Sequence, residues 1–252
     1  HALTSTFSAV RELHEPIVVH VLTEKGRGYP HAEKAPEVYH GTSTFDINSG
    51  ASKATAEPTF SDSLGTSLER VMEENEDAIA ITAGMCRGTG LLNIRDRFPR
   101  RFFDVGIAEE HAVVFAAGIA AAGWRPVVAI YATFMHRAMD YVFHDVALQS
   151  LPVVFCLDRA GIVKDGATHH GIHDMGFWHC IPNVIVAQPA DAWEQDAMVR
   201  LCLERRLPAV IRYPKAAATR LPVPERADLE FGRAEVLRSG NDVMIWAVGR
   251  EC

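Results

Sequence analysis

Six short apolar runs alternate with helical patterns over residues 61–213, and this alternation limits the folds open to the chain. The runs have the length of buried strands and lie at 78–82, 102–105, 127–131, 153–158, 184–187 and 210–213. Helices are predicted at 61–75, with Ser61 or Asp62 as the N-cap, and at 109–122, 133–149 and 191–205. Strands and helices in alternation build a parallel sheet with helices on both faces. We therefore predict the α/β class.

Two stretches without periodicity divide the chain. The first, 26–58, is polar and follows an apolar run at 17–23 that is predicted to be a strand. The second, 214–229, precedes further strand-like runs at 235–237 and 243–248. We expect three segments, 1–57, 58–225 and 226–252. Because the chain opens without Met or a signal peptide and ends directly after a strand-like run, we expect it to be a piece of a longer protein.

Composition excludes several classes of function. The 25 Lys and Arg residues against 32 Asp and Glu residues give a net charge of −7, which argues against a mainly electrostatic nucleic-acid binder. The apolar runs are far shorter than the roughly 20 residues that span a bilayer. The five cysteines are widely spaced and lack a C-x-x-C pair, which favours a reducing cytoplasmic location over a disulfide framework or a zinc ribbon.

Glu109 is the first candidate for function. It opens the predicted helix 109–122, whose remaining residues are mostly small or apolar and predict a helix buried nearly all round. Burial raises the pKa of a carboxyl group, whereas the positive end of a helix lowers it, so the pattern leaves the charge state open. An ordinary first-turn acid that stabilises the helix is the alternative.

Ligands of parallel sheets bind beyond the carboxyl ends of the strands. The loops at that edge carry charged, aromatic and histidine side chains: Glu109, Phe134, Arg137, Arg159, Asp165, His169 and His170. Arg159 and Arg212 each follow a strand or end one, and two arginines at one edge favour an anion site over separate structural ion pairs. The cluster of His169, His170 and His173 lacks a further ligand at a usual spacing, so polar contacts or proton transfer are favoured over a metal site.

Several blocks of the sequence are distinctive: ITAGMCRGTG, FFDVGIAEEHAVVFAAGIAAAGWRPVVAIYATF, HDVALQSLPVVFCLDRAGIV, DGATHHGIHDM and VIRYPK. Together they resemble the 1-deoxy-D-xylulose-5-phosphate synthases, a family of thiamine-diphosphate enzymes in the transketolase superfamily. The resemblance covers nearly the whole chain. It implies that 1–57 is the end of a diphosphate-binding domain with its linker, that 58–225 is a pyrimidine-binding domain, and that 226–252 is the start of a C-terminal domain.

The resemblance also implies an activity and its residues. The family condenses pyruvate with D-glyceraldehyde 3-phosphate, with loss of CO2, as a cytoplasmic homodimeric transferase that uses thiamine diphosphate and magnesium and serves isoprenoid, thiamine and pyridoxal biosynthesis. Glu109, His40 and His169 match catalytic positions, and Glu109, Phe134 and Ile107 match cofactor contacts. The remaining matches are to substrate contacts: Tyr131, Arg137, Arg159, Asp165, His169 and Arg212, of which Arg159 and Arg212 match arginines that hold the phosphate.

One motif of the superfamily is missing from the chain. The G-D-G sequence that binds magnesium and the diphosphate does not occur in it, so we expect this chain alone to be inactive. Two alternatives remain open at this point. One is a chain like the β-subunit of a 2-oxo acid dehydrogenase, and the other is a non-catalytic regulatory or interaction domain with the same fold.

Overall fold

A computed structural model describes residues 1–53, 57–221 and 228–252. The chain separates into two compact units, 1–55 and 56–252, and each is described by itself. The predicted boundary between 225 and 226 lies outside the described residues. Among the described residues, no helix is long and apolar enough to cross a membrane.

The first unit contains two short helices and a cluster of aromatic rings. Helix α1 spans Ala2–Val10 and α2 spans Pro30–Lys34. The ring of Tyr29 lies 5.5 Å from that of Tyr39 and 5.9 Å from that of Phe45, centroid to centroid. The Tyr39 hydroxyl donates to the carbonyl oxygen of Gly50 at 2.8 Å, which closes the loop between them.

The second unit is built on six strands with helices between them. The strands are β1 (Ala78–Thr82), β2 (Phe102–Asp104), β3 (Arg125–Tyr131), β4 (Val154–Asp158), β5 (Ile185–Ala187) and β6 (Ala209–Arg212). The α-helices are α3 (Phe60–Glu74), α4 (Leu92–Arg97), α5 (Glu109–Ala121), α6 (Met139–Tyr141), α7 (Asp174–Cys180) and α8 (Ala192–Arg205). Short 3-10 helices occupy Phe134–Ala138, Ala167–His169 and Gly249–Glu251, and a π-helix occupies Val142–Ala147.

All pairs in the sheet are parallel, in the order β2-β1-β3-β4-β6-β5. Helices α3, α4 and α8 cover one face, where Leu64, Ile94 and Val199 are fully buried. Helices α5 and α7 and the helical segment 134–147 cover the other face, where Ala112 and Trp178 are buried. The predicted α/β class with helices on both faces is confirmed.

Local chemistry explains where the first of these helices begins. The hydroxyl of Thr59 accepts a hydrogen bond from the Asp62 backbone, and the Asp62 carboxylate accepts one from the Thr59 backbone at 2.9 Å. This reciprocal capping box makes Thr59 the N-cap, two residues before the predicted Ser61. The prediction of Ser61 or Asp62 as the cap is therefore wrong, although Asp62 takes part in the same device.

Three predicted strands are wrong in the described structure. Residues 17–23, 235–237 and 243–248 form no strand, and their apolar side chains are largely exposed, among them Val18, Leu22, Ile245 and Trp246. A strand is stabilised by hydrogen bonds to a neighbour and by one covered face. No described residues pair with these runs, so their β-branched composition alone does not produce a strand.

Helix α5 is buried on one face only. Ala112, Val113, Ala116, Ala117 and Ala120 pack on the sheet. Val114 keeps 42% of its surface exposed. The opposite face lines a shallow apolar groove with residues of neighbouring elements, and its members are Ile79, Phe103, His111, Val114, Phe115, Gly118, Ile119, Ala122 and Trp124. The prediction of a helix buried all round is therefore wrong, because apolar residues on all sides do not require a neighbour on all sides.

Candidate active site

The loop between β2 and α5 places Glu109 at the sheet edge. Asp104, at the end of β2, accepts hydrogen bonds from the backbone N–H of Gly84 at 2.7 Å and of Gly106 at 3.0 Å. Gly106 has a φ of 73°, a conformation that costs other residues energy. The turn brings Glu109 to the first position of α5, where its carboxylate faces the positive end of the helix.

Glu109 is buried and paired with an arginine. Only 1% of its side chain is exposed, whereas Arg137 is half exposed. Arg137 Nη1 donates to Glu109 Oε1 at 2.6 Å, the length of a charge-assisted hydrogen bond. A buried carboxylate needs such a partner to remain charged. The pair joins the start of α5 to the 3-10 helix that follows β3.

Phe134 lies at the centre of an aromatic layer beside this pair. The guanidinium carbon of Arg137 is 5.0 Å from the Phe134 ring centroid, and the Tyr131 ring stacks on Phe134 at 5.8 Å with an interplanar angle of 21°. His169 meets Phe134 edge to face at 5.3 Å. The layer therefore offers a flat aromatic surface next to a buried carboxylate, an arrangement suited to a heterocycle with ring nitrogens.

Tyr131 connects this layer to Arg159. The guanidinium carbon of Arg159 lies 3.6 Å from the Tyr131 ring centroid, and burial raises the pKa of the Tyr131 hydroxyl. Arg159 Nη1 donates to the carbonyl oxygen of Gly88 at 2.8 Å. A Cβ atom at Gly88 would stand 1.7 Å from the Tyr131 hydroxyl, so only glycine leaves room for this ring.

Asp165 and Lys215 form a second ion pair beside Arg159. Lys215 Nζ lies 2.7 and 2.8 Å from the two Asp165 carboxylate oxygens, and Arg159 Nε lies 3.8 Å from Asp165 Oδ2. Burial pushes the pKa of Asp165 up, but the hydrogen bond and charge of Lys215 outweigh it, with help from Arg159, and the pKa lies below its usual value. Two cations thus converge on one carboxylate at the carboxyl ends of β4 and β6.

Arg212 is placed differently from Arg159. Its guanidinium is 5% exposed and forms two hydrogen bonds with the buried carboxylate of Asp174, from Nε at 2.6 Å and from Nη2 at 2.9 Å. Its remaining donors reach the side-chain oxygen of Gln188 and the carbonyl oxygen of Gly171. All three nitrogen atoms of the Arg212 guanidinium therefore donate hydrogen bonds to protein groups. These hydrogen bonds hold the loop that ends at Gly171.

The other predicted residues have different local surroundings. His169 Nδ1 lies 2.9 Å from the Thr168 hydroxyl, and His170 Nδ1 accepts from the Val163 backbone at 3.2 Å. Ile107 is 84% exposed in the turn before α5. His40 belongs to the first unit, where its Nδ1 lies 2.9 Å from Lys25 Nζ.

The described residues contain no group of three or more His, Cys, Asp or Glu side chains arranged to hold a metal ion. His169, His170 and His173 follow one another in the loop and the turn before α7, with His169 turned toward Phe134 and His170 toward the backbone of its own loop. The imidazoles of His169 and His170 therefore have separate contacts.

Sequence reasoning missed three residues of this cluster. Lys215 and Asp158 stand next to predicted residues, and Gly88 lies in one of the distinctive blocks. Lys215 had a usable signal, because it follows β6 at the same edge as the other candidates. The role of Gly88 depends on the close approach of Tyr131 from another strand. No local sequence pattern predicts that contact.

Comparison with known protein families identifies the class of protein to which the chain belongs. The family model described as the transketolase pyrimidine-binding domain matches residues 56–220. The chain therefore belongs to the transketolase pyrimidine-binding domain family.

Curated relatives narrow the resemblance. The chain is 46% identical over 251 residues to a 1-deoxy-D-xylulose-5-phosphate synthase of Pelotomaculum thermopropionicum and 44% identical over 250 residues to that of Aquifex aeolicus. Each match covers 98% of this chain but only 39% and 40% of the relative. The resemblance to the synthases predicted from the sequence is confirmed, and the chain spans about two fifths of the length of the curated relatives that it matches.

Solved structures agree on the fold. The structure titled split gene transketolase, inactive beta4 tetramer, is 29% identical with a TM-score of 0.63, over 74% of this chain and 61% of the other. The transketolase of Campylobacter jejuni is 20% identical with a TM-score of 0.60, over 66% of this chain and 27% of the other. The second likeness concerns the fold alone.

Proposed function

We propose that this chain carries the pyrimidine half of the active site of a thiamine-diphosphate-dependent transferase. The reaction joins pyruvate to D-glyceraldehyde 3-phosphate with loss of CO2 and gives 1-deoxy-D-xylulose 5-phosphate. The observation that carries the proposal is the identity of 46% to a synthase over nearly the whole chain. The buried Glu109 at the start of α5, next to the aromatic layer, agrees with it.

The residues present fit the pyrimidine portion of the cofactor. Glu109 offers a buried carboxylate that accepts a hydrogen bond from a protonated ring nitrogen, and the Phe134 ring offers a stacking surface. Ile107 adds apolar contact from the preceding turn. When bound, thiamine diphosphate supplies the carbanion chemistry that cleaves pyruvate and joins its two-carbon fragment to the aldehyde.

The substrates are assigned to the same sheet edge. We assign Arg137, beside Phe134, to the carboxylate of pyruvate. His169, on the other side of Phe134, is assigned to proton transfer during the condensation, and Tyr131 to contact with the substrates. Arg159 binds the phosphate of the aldehyde, and Lys215 joins it as a second cation. Asp165 keeps the two cations in place between turnovers. Arg212 supports the site through Asp174 and the loop carbonyl of Gly171.

The chain supplies only part of the complete enzyme in this proposal. The diphosphate and its magnesium require a G-D-G motif that this sequence lacks, so the chain alone is inactive. The split-gene transketolase supports this expectation, because it is described as an inactive beta4 tetramer. Segments 1–57, 58–225 and 226–252 belong to three domains, and the complete enzyme is a cytoplasmic homodimer. The resemblance assigns His40, in the first segment, a catalytic role.

The activity is tested in the full-length protein that contains this chain. CO2 release from labelled pyruvate is expected only with thiamine diphosphate, magnesium and the aldehyde phosphate present. Glu109→Gln is expected to lower kcat at least 100-fold, because it removes the carboxylate while keeping the shape. Glu110→Gln, one residue later on the same helix turn, is the matched control and is expected to stay within threefold. Normal turnover by Glu109→Gln would remove the assignment.

A further inference from the structure

Arg159 is held in an unfavourable backbone conformation. It directly follows β4 and has a φ of 63°, in the left-handed region that is unfavourable for residues other than glycine. Such a conformation persists only where the surrounding structure imposes it. The contacts of the Arg159 side chain therefore indicate what that conformation serves.

Those contacts anchor one end of the guanidinium group. Nη1 donates to the Gly88 carbonyl oxygen at 2.8 Å and lies 2.9 Å from Asp158 Oδ1, while the Tyr131 ring covers one face. Nε, on another edge of the group, is buried and has no hydrogen-bond partner among the described residues. Asp165 Oδ2 lies 3.8 Å from Nε. The Nη1 end of the Arg159 guanidinium is therefore fixed by the protein, and the Nε edge has a donor that a ligand could use.

Asp158 is the charged group behind this anchor. It is fully buried at the end of β4, and burial raises its pKa to about 6. The hydroxyl of Ser61, from the first turn of α3, donates to Asp158 Oδ2 at 2.5 Å. Burying a carboxylate costs several kcal/mol, and an apolar residue at such a position often gives equal or greater stability. A role in stability alone is thus a weak explanation for Asp158.

We propose that Asp158, held by Ser61, is a positioning residue that fixes the Arg159 guanidinium so that its Nε edge faces the phosphate of the substrate beside Lys215. This inference rests on the proposed function, in which Arg159 binds that phosphate. Asp158 itself touches no substrate. It fixes the direction in which the hydrogen-bond donors of Arg159 point, and so acts on affinity for the phosphorylated substrate.

The test uses the full-length protein and two readouts. Asp158→Asn keeps the size of the side chain and removes its charge. We expect the KM for D-glyceraldehyde 3-phosphate to rise at least tenfold, while the KM for pyruvate changes less than twofold. Inorganic sulfate, a competitive probe of the anion site, is expected to bind about tenfold more weakly. Equal changes in both KM values, or unchanged sulfate affinity, would overturn the inference.

Control variants separate positioning from folding. Asp191→Asn neutralises another fully buried aspartate, the N-cap of α8, and is expected to leave sulfate affinity within twofold. Ser61→Ala is a milder change in case Asp158→Asn does not fold, and is expected to weaken sulfate binding three- to fivefold. Ser61→Thr retains the hydroxyl and is expected to restore it. A Ser61→Ala protein with normal sulfate affinity would contradict the inference.

Arg159→Ala distinguishes the inference from the proposed function. If Arg159→Ala leaves the KM for the aldehyde phosphate and the sulfate affinity unchanged, the phosphate role of Arg159 itself fails. If Arg159→Ala weakens both while Asp158→Asn and Ser61→Ala weaken neither, the phosphate role stands and only the positioning role of Asp158 fails.

Discussion

Three arginines at one edge of the sheet differ in their contacts, because each has different partners. Arg137 is half exposed and forms an ion pair with a buried glutamate. Arg159 is buried, and its Nε has no hydrogen-bond partner among the described residues. Arg212 is buried, and its three nitrogen atoms donate to protein groups. An arginine binds an anion through hydrogen-bond donors that have no partner in the protein. Whether those donors are already hydrogen-bonded therefore decides whether the arginine can bind a ligand. The sequence pattern treats Arg159 and Arg212 alike, whereas their hydrogen-bond partners in the fold differ.

This difference predicts distinct kinetic effects. Lys215→Ala removes a partly exposed cation, and we expect it to raise the KM for D-glyceraldehyde 3-phosphate about tenfold with a small change in stability.

Arg212→Lys keeps the charge but loses the forked contact with Asp174. For that variant we expect a fall in the thermal midpoint of several degrees, with kcat and both KM values changing together. Steady-state kinetics and thermal melting of the full-length protein check both.

At the scale of elements, Asp158 joins β4 to α3 across 97 positions of sequence. Its pKa is raised from 3.8 to about 6 by burial, so the folded protein holds the proton more tightly than the unfolded chain. Its contribution to stability is then fully present below pH 3.8 and is lost as the pH rises through about 6. At 1.4 kcal/mol per pKa unit the loss is about 3 kcal/mol.

We expect the thermal midpoint of the native protein to fall, relative to that of Asp158→Asn, between about pH 4 and pH 6, and the difference to level off above pH 7. Melting curves of both proteins across this range measure the effect. Asp191→Asn, which changes the buried N-cap of α8, serves as the control for the loss of a buried aspartate. A difference between Asp158→Asn and the native protein that is independent of pH would contradict the prediction.

Elements with a strong apolar pattern could be predicted from the sequence. All six strands of the sheet lie within two residues of their predicted ends, because each is a buried run that needs no special partner chemistry. The helix predicted at 133–149 is instead a 3-10, an α and a π segment. Its buried residues keep ordinary helical spacing, at 135, 138, 139, 142, 146 and 147, so the periodicity indicates a helix but not the change of helix type.

Features that depend on distant partners could not be predicted. Helix α4 has six residues, too few for a periodic repeat, and Arg97 at its end pairs with Glu69 and Glu73 of α3. In the site, position at the sheet edge marked Glu109 and Phe134 as candidates. The pairing of Glu109 with Arg137 across 28 residues is a property of the assembled fold. Candidates follow from topology, and their partners follow from tertiary packing.

At the scale of the whole molecule, the exposed face of α5 is an apolar surface that a partner could cover. Val114, Phe115 and Ile119 lie on it with Trp124, and Gly118 and Ala122 leave its centre low enough for another helix to approach closely. The proposed homodimer gives this surface an occupant, a second copy of the same face. In a two-fold interface each substitution acts twice, because both subunits carry it.

Val114→Glu tests this assembly. The change places a charge at the centre of the groove on each subunit, so a two-fold contact would bring two like charges together in an apolar setting. We expect the dissociation constant for self-association of the full-length protein to rise at least tenfold, measured by sedimentation velocity over a range of concentrations. Leu148→Glu changes another exposed apolar residue, outside the groove, and is expected to leave association unchanged. Equal association of Val114→Glu and the native protein would show that the face of α5 is not where two copies meet. A charge buried in an apolar contact there would weaken association.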